Sequence, residues 1–144
     1  MTDQNITPLF EFTIEPRWFD ADPLGHINHV QYFRYLEEAR VKWMSSADYL
    51  RALSNDVAYV MLMVNVGLDF RREHHHPEAL SALAYVSHVG NSSFRLHQQL
   101  FAKDSGELVA EGPASLVWVR LEDHKPERIS DAMRELLGRH LRPE

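Results

Sequence analysis

The sequence contains no cysteine, which excludes disulfides, thiolate metal centres and a cysteine nucleophile. It contains no run of about 18 apolar residues, so nothing in it reads as a membrane-spanning helix. The stretch Met1 to Pro8 is polar and lacks the apolar core of a signal peptide, and a cytoplasmic location is the expectation that follows. Positive charge is in short supply. Fifteen Lys and Arg face 21 Asp and Glu, a formal net charge of −6. Such a balance argues against a nucleic-acid partner, which needs a basic surface. It leaves room for a local basic pocket around a phosphorylated small molecule. No internal repeat or low-complexity linker divides the 144 residues, so one domain spanning 1–144 is expected.

What is present concentrates in one segment, Phe19-Asp20-Ala21-Asp22-Pro23-Leu24-Gly25-His26-Ile27-Asn28-His29. It sets two carboxylates, two imidazoles and a turn glycine between a strand-like stretch (Leu9 to Trp18) and a helix. Asn28 caps that predicted helix, which runs to about Met44. Tyr32, Leu36, Ala39 and Trp43 fall on one side. Val30, Phe33, Val41 and Met44 widen the apolar surface, so the helix reads as buried over much of its circumference. A carboxylate just ahead of a helix start has unpaired main-chain N–H groups beside it, which can hold an oxyanion, and a histidine within reach.

Ser46 to Asn55 reads as a shorter helical turn and loop. The hydrophobic period then changes to two. Val60 through Phe70 alternates as one long strand, Leu80 to Val89 as a second, and Gly90-Asn91 supplies a hairpin turn. Phe94, Leu96 and Leu100 mark a third, and Leu108 to Leu121 a fourth. Pro113 inside the fourth predicts an edge position or a bulge. A helix over Asp131 to Arg139, capped by Ser130, closes the order. A meander of this kind makes an antiparallel sheet, and its concave face is the only large partner for the long helix. The fold class is therefore α+β, about five curved antiparallel strands wrapped round one long helix, plus a short C-terminal helix.

Several side chains carry open alternatives. Asp22 is a loop or capping residue unless its position gives it chemistry. His29 takes either an active-site role or a surface one, and Tyr32 either lines a pocket or packs in the core. Asp20 reads as a turn former or a partner of Arg17, and His26 as a loop anchor bonded to backbone. His74-His75-His76 invites a metal reading. Adjacent strand residues point to opposite faces, however, and no second ligand cluster is visible, so a solvated loop and no metal are expected. Met61, Met63, Phe101 and Trp118 offer apolar pocket material.

Arg17-Trp18-Phe19-Asp20-Ala21-Asp22, Gly25-His26-Ile27-Asn28-His29, Tyr32, Tyr35-Leu36-Glu37-Glu38-Ala39-Arg40 and Gly90-Asn91-Ser92-Ser93-Phe94 together resemble the hotdog-fold acyl-CoA thioesterases. The subgroup is the 4-hydroxybenzoyl-CoA and Tol-Pal-associated thioesterase type, and the resemblance covers about Phe10 to Arg120. It implies an acyl-CoA substrate and no separate cofactor. Asp22 matches the family's catalytic carboxylate, and His29 a histidine beside the thioester. The main-chain N–H near His29 would polarise the carbonyl. Gly25, Asn28, Tyr32, Ser92, Ser93, Arg71 and Arg72 form the expected substrate-binding set. The serines would contact the pantetheine arm, and the arginines, with Arg95, the phosphates. A homodimer or tetramer with interfacial sites is also implied. Members often carry Gly-Asp just before the strand that starts here near Leu80, where this chain has Pro77-Glu78. The alternatives are an acyl-ACP thioesterase and a non-catalytic acyl-thioester-binding protein. The related (R)-specific enoyl-CoA hydratases need an Asp and a His at a fixed spacing with Asn-Pro between, which Asp22-Pro23 and His26 do not provide.

Overall fold

A computed structural model describes residues 5–53 and 58–143. Residues 1–4 of the polar N-terminal stretch, and 54–55 of the expected Ser46–Asn55 segment, lie outside the described residues. The chain folds as β1 (Phe10–Ile14), a 3-10 turn (Trp18–Asp20), α1 (His29–Met44), α2 (Ala47–Leu53), β2 (Tyr59–Val66), β3 (Asp69–Phe70), β4 (Leu80–Val89), β5 (Ser93–Ala102), β6 (Leu108–Arg120) and α3 (Asp131–Arg139). All strand pairs are antiparallel, in the order β1-β4-β5-β6-β2, with β3 also on β6. The sheet curls as a half-barrel round α1, the arrangement expected from the sequence.

Alternation sets the faces. Along β4, Leu80, Ala82, Ala84 and Val86 are buried; along β5, Phe94, Leu96, Gln98, Leu100 and Ala102 are. These residues face α1, which lies across β1, β4 and β5. The helix starts where the sequence places it, because the Asn28 side chain accepts the Val30 N–H at 3.0 Å. It buries Tyr32, Tyr35, Leu36, Ala39 and Trp43. The expected wide burial is corrected: Val30 is 49% and Val41 52% exposed, so α1 is a one-faced helix with a solvent side carrying the Glu38–Lys42 pair. Ser130 caps α3 through the Met133 N–H, and α3 packs on α2 and β4. Beyond the end of β1, Val86 of β4 is covered instead by the tail. Its N–H donates to His140 O and its carbonyl accepts from the Arg142 N–H.

Two expectations about the late strands are corrected together. The run Val60 to Phe70 is not one strand; it breaks after Val66, and β3 resumes two residues later. Of the two readings of Pro113, the edge position is excluded, because β6 lies between β5 and β2, while the ladder irregularity is present and falls in the partner strand. The break is what admits the proline. Pro113 O accepts the Gly67 N–H at 3.0 Å, and in an antiparallel ladder a residue's N and O point the same way. The nitrogen that lacks a proton therefore faces the interruption at Gly67 and Leu68, where no ladder bond is owed. Beside it, Gly112 lets the two backbones nearly touch: a Cβ there would lie 2.0 Å from Gly67 O and 2.9 Å from Leu68 Cα.

Gly112→Ala is accordingly expected to lower stability by about 1–3 kcal/mol, because backbone and not a movable side chain must give way. Urea unfolding of the two proteins measures this, and an unchanged midpoint would show that the crossing is loose.

Candidate functional site

The loop after the 3-10 turn is built on carboxylate-to-backbone bonds. Asp20 anchors its start. The Asp20 Oδ2 accepts the Arg17 N–H at 2.9 Å and the Tyr35 hydroxyl at 2.6 Å, while the Asp20 carbonyl accepts the Asn28 N–H at 3.0 Å. Asp20 is thus the turn former the sequence indicates, with the Arg17 main chain as its partner and Tyr35 as a partner the sequence did not reveal. Burial and the bond to Asp20 raise the Tyr35 hydroxyl well above its ordinary pKa, so it remains a donor.

Asp22 closes the next turn. Its Oδ1 accepts the N–H groups of Leu24 and His26, both at 2.9 Å. Gly25, at φ +85°, makes the reversal possible. Two main-chain donors on one oxygen fix the carboxylate plane and leave Oδ2 for other work. The nearest side-chain partner of Oδ2 is His26 Nδ1, 3.9 Å away.

A second segment is laced to this loop by main chain. Ile27 N donates to His74 O at 2.8 Å, and His76 N to Gly25 O at 3.0 Å. The His tract is therefore not a solvated loop. His74 is buried, its Nε2 2.7 Å from Glu78 O; His75 packs edge-on against His26, with ring centroids 4.4 Å apart. The reason is non-local pairing, which no local pattern announces. Glu78 accepts the Asp104 N–H at 3.3 Å.

Between the two segments and α1 opens a cleft of about 720 Å³. Asp22, His26, Asn28 and His29 line it from the loop and the start of α1, Tyr32 and Phe70 give it an apolar floor, and Arg71, Arg72 and Glu73 line it from the chain after β3. The structure thus gathers seven of the nine expected site residues, counting Gly25 for its place in the loop. Tyr32 satisfies both of its alternatives. It is buried, touches Phe70 at 5.8 Å between centroids and still lines the cleft. Burial raises its hydroxyl pKa, opposed by a main-chain hydrogen bond at His74. His29 stands edge-on to Phe70 at 5.6 Å. Among the described residues, its main-chain N–H, the first of α1, has no hydrogen-bond partner.

Ser92 and Ser93 are not brought to this cleft within one chain. They sit in the β4–β5 hairpin, which is tied to the C-terminal region by Ile129 N to Asn91 O and by Arg134 to Gly90 O. The apolar candidates also lie elsewhere. Met61 and Trp118 are core, Trp118 stacked on Tyr59, and Met63 borders a separate hollow with Arg40. Phe70 is the cleft aromatic that a one-strand reading hid. A smaller hollow of about 410 Å³, walled by Trp18, Phe19 and Pro23, meets the other side of Asp22.

The model of the thioesterase-like superfamily matches residues 16–137. This chain belongs to that superfamily. The long-chain acyl-CoA thioesterase FadM of Escherichia coli is 25% identical over 125 residues, 86% of this chain and 93% of that protein. The PA2801 protein of Pseudomonas aeruginosa is 29% identical with a TM-score of 0.78, over 90% of this chain and 98% of that one. A Thermus thermophilus thioesterase, solved with coenzyme A and Zn, is 26% identical with a TM-score of 0.74, over 95% and 98%.

In this member of the superfamily the basic side of the cleft is held from the sheet's other face. Arg71 pairs with Glu111 at 3.1 Å and Arg72 with Glu107. Burial by itself raises the Glu111 carboxyl, but bonds from His97, Gln99 and Arg71 outweigh it and hold the group below its usual range. Inside the helix–sheet layer, Arg40 donates to Gln98 Oε1 at 2.6 Å, and burial lowers its pKa.

A depressed folded-state pKa means that Glu111 contributes stability above its ordinary value of 4.5, and loses it as pH falls through the lower folded value. Glu111→Gln should melt about 2–4 °C below the parent at pH 7, and the gap should close as the pH is taken below 4.5. Thermal unfolding followed by circular dichroism across that range tests the sign.

Proposed function

We propose that this protein hydrolyses an acyl-CoA thioester to a free acid and coenzyme A. The observation that carries the reading is one cleft with a backbone-held carboxylate, Asp22, and an unpartnered helix-start N–H at His29 on the same wall. A thioester carbonyl is poorly stabilised by its sulfur, so a nucleophile or base and an oxyanion donor suffice. The His29 N–H, at the positive end of α1, takes the carbonyl oxygen as charge develops on it.

Asp22 then acts in one of two ways. As a base it accepts a proton from water as the new C–O bond forms, and the C–S bond breaks. The proton leaves with the thiol. As a nucleophile Asp22 forms a mixed anhydride as the C–S bond breaks and the thiolate leaves; water then opens the anhydride, frees the acid and the Asp22 carboxylate, and its released proton goes to the thiolate. The His29 ring stands on the cleft wall to hydrogen-bond the carbonyl or the leaving sulfur. Asn28 fixes the helix start, Gly25 the loop, and Tyr32 the apolar floor. Arg71 and Arg72 supply the positive charge that phosphates need, sharing their present carboxylate partners.

The name of the E. coli relative supports a long-chain acyl group and a CoA carrier over an acyl carrier protein. A second copy completes the site. Strand β2 ends the sheet, with Val64 61% and Val66 40% exposed beside Val30. Contact of Ser92 and Ser93 with the pantetheine arm needs that assembly, since one chain keeps them apart from Asp22.

Asp22→Asn separates chemistry from architecture, because the amide oxygen still accepts the Leu24 and His26 N–H groups. Thiol release from a panel of acyl-CoAs should fall at least about 10²-fold with the melting temperature retained. Near-normal turnover in the variant would remove Asp22 from the mechanism. Tight acyl-CoA binding by the parent without thiol release would point to a non-catalytic carrier.

A further inference from the structure

His26 and Glu73 line the cleft, and together with His75 they each offer one donor atom, all within 4.8 Å of one another. Glu73 Oε2 is 3.6 Å from His26 Nε2 and 3.9 Å from His75 Nε2. Two ligands of a tetrahedral zinc ion, each about 2.0–2.1 Å from it, stand roughly 3.3–3.5 Å apart. The cluster is a few tenths of an ångström wider than that along its two edges to Glu73, and its third edge is at most 4.8 Å. Glu73 and His75 are free to close the difference, with side chains 72% and 54% exposed.

The backbones beneath the cluster are already fixed. His26 and His75 face each other across a main-chain bridge, flanked by the Ile27–His74 and His76–Gly25 bonds. Ligands from two distant stretches of sequence are thereby held in register before any ion arrives. The other ring nitrogen of His26 faces Asp22 Oδ2 at 3.9 Å, a Coulombic contact outside hydrogen-bond distance.

We propose that His26, Glu73 and His75 bind one divalent transition-metal ion of the zinc and cobalt class at the edge of the cleft that His26 and Glu73 line. Two imidazoles and one carboxylate select such ions over magnesium and calcium, which prefer all-oxygen sites. Three protein ligands leave a fourth position open to solvent or to a ligand in the cleft. Only one histidine of the 74–76 tract takes part. The geometric objection to three adjacent ligands therefore does not arise.

The metal alone is the probe, so the result stands apart from any hydrolytic assay. Apo protein is titrated with cobalt chloride while the visible d–d absorption is followed, and zinc chloride then displaces the cobalt. His75→Ala and Glu73→Gln are compared, with His124→Ala as a control remote from the cleft. The expected result is one ion per chain, with at least about tenfold weaker binding in both cleft variants and none lost in the control. Excess magnesium should not compete. Melting temperatures of the apo variants should match the parent, since both side chains are exposed. Absence of uptake, or uptake equally tight in His75→Ala and Glu73→Gln (an adventitious ion only), overturns the site.

Discussion

The two-rung ladder between Gly25–Ile27 and His74–His76 is the constraint on which the cleft depends. Each rung is a main-chain bond contributing about 0.5–1.5 kcal/mol net, yet its geometric effect is larger than its energy. It holds the Asp22 loop against the chain that has just left the sheet after β3. Without it, the acidic wall and the arginine wall would belong to two independent loops. Gly25 at φ +85° and the Asp22 turn make one strand of the ladder; the buried His74, braced on Glu78 O, makes the other.

Around this ladder the protein spends carboxylates on positioning. Asp20 holds the loop to α1 through Tyr35, Glu111 and Glu107 hold Arg71 and Arg72, and Asp22 is held by main chain through Oδ1, which leaves its Oδ2 clear of main-chain bonds. A net charge of −6 is thus compatible with a cleft that presents cations to a ligand. The excess of acid is partly scaffolding for base. The same division explains why α1 is one-faced: its inner side seals the half-barrel through Leu36, Ala39 and Trp43, and its first turn, not its flank, meets the cleft.

Local signals were legible where local physics decides. Asn28 and Ser130 mark helix starts because a cap is a contact over two or three residues. The β4–β5 turn follows from Gly90-Asn91 between alternating runs. Superfamily membership was legible in the Asp22 to His29 motif. Illegible were features that need a distant partner. Val60 to Phe70 alternates without pause, and only the approach of Gly112 breaks it at Gly67. Pro113 signalled trouble in a ladder correctly but could not say that the partner strand would be the one to yield. His74 to His76 reads as polar and exposed until a remote loop pairs with it. Val30 and Val41 read as core because apolarity does not reveal which side of a helix the sheet will take.

The crossing at Gly112 and Gly67 interrupts the sheet just before β3, which carries Phe70 of the cleft floor and leads into Arg71 to Glu73, which also line the cleft. A position that never meets a ligand therefore governs the shape that the ligand meets. Libraries that randomise only cleft-facing side chains leave that control untouched.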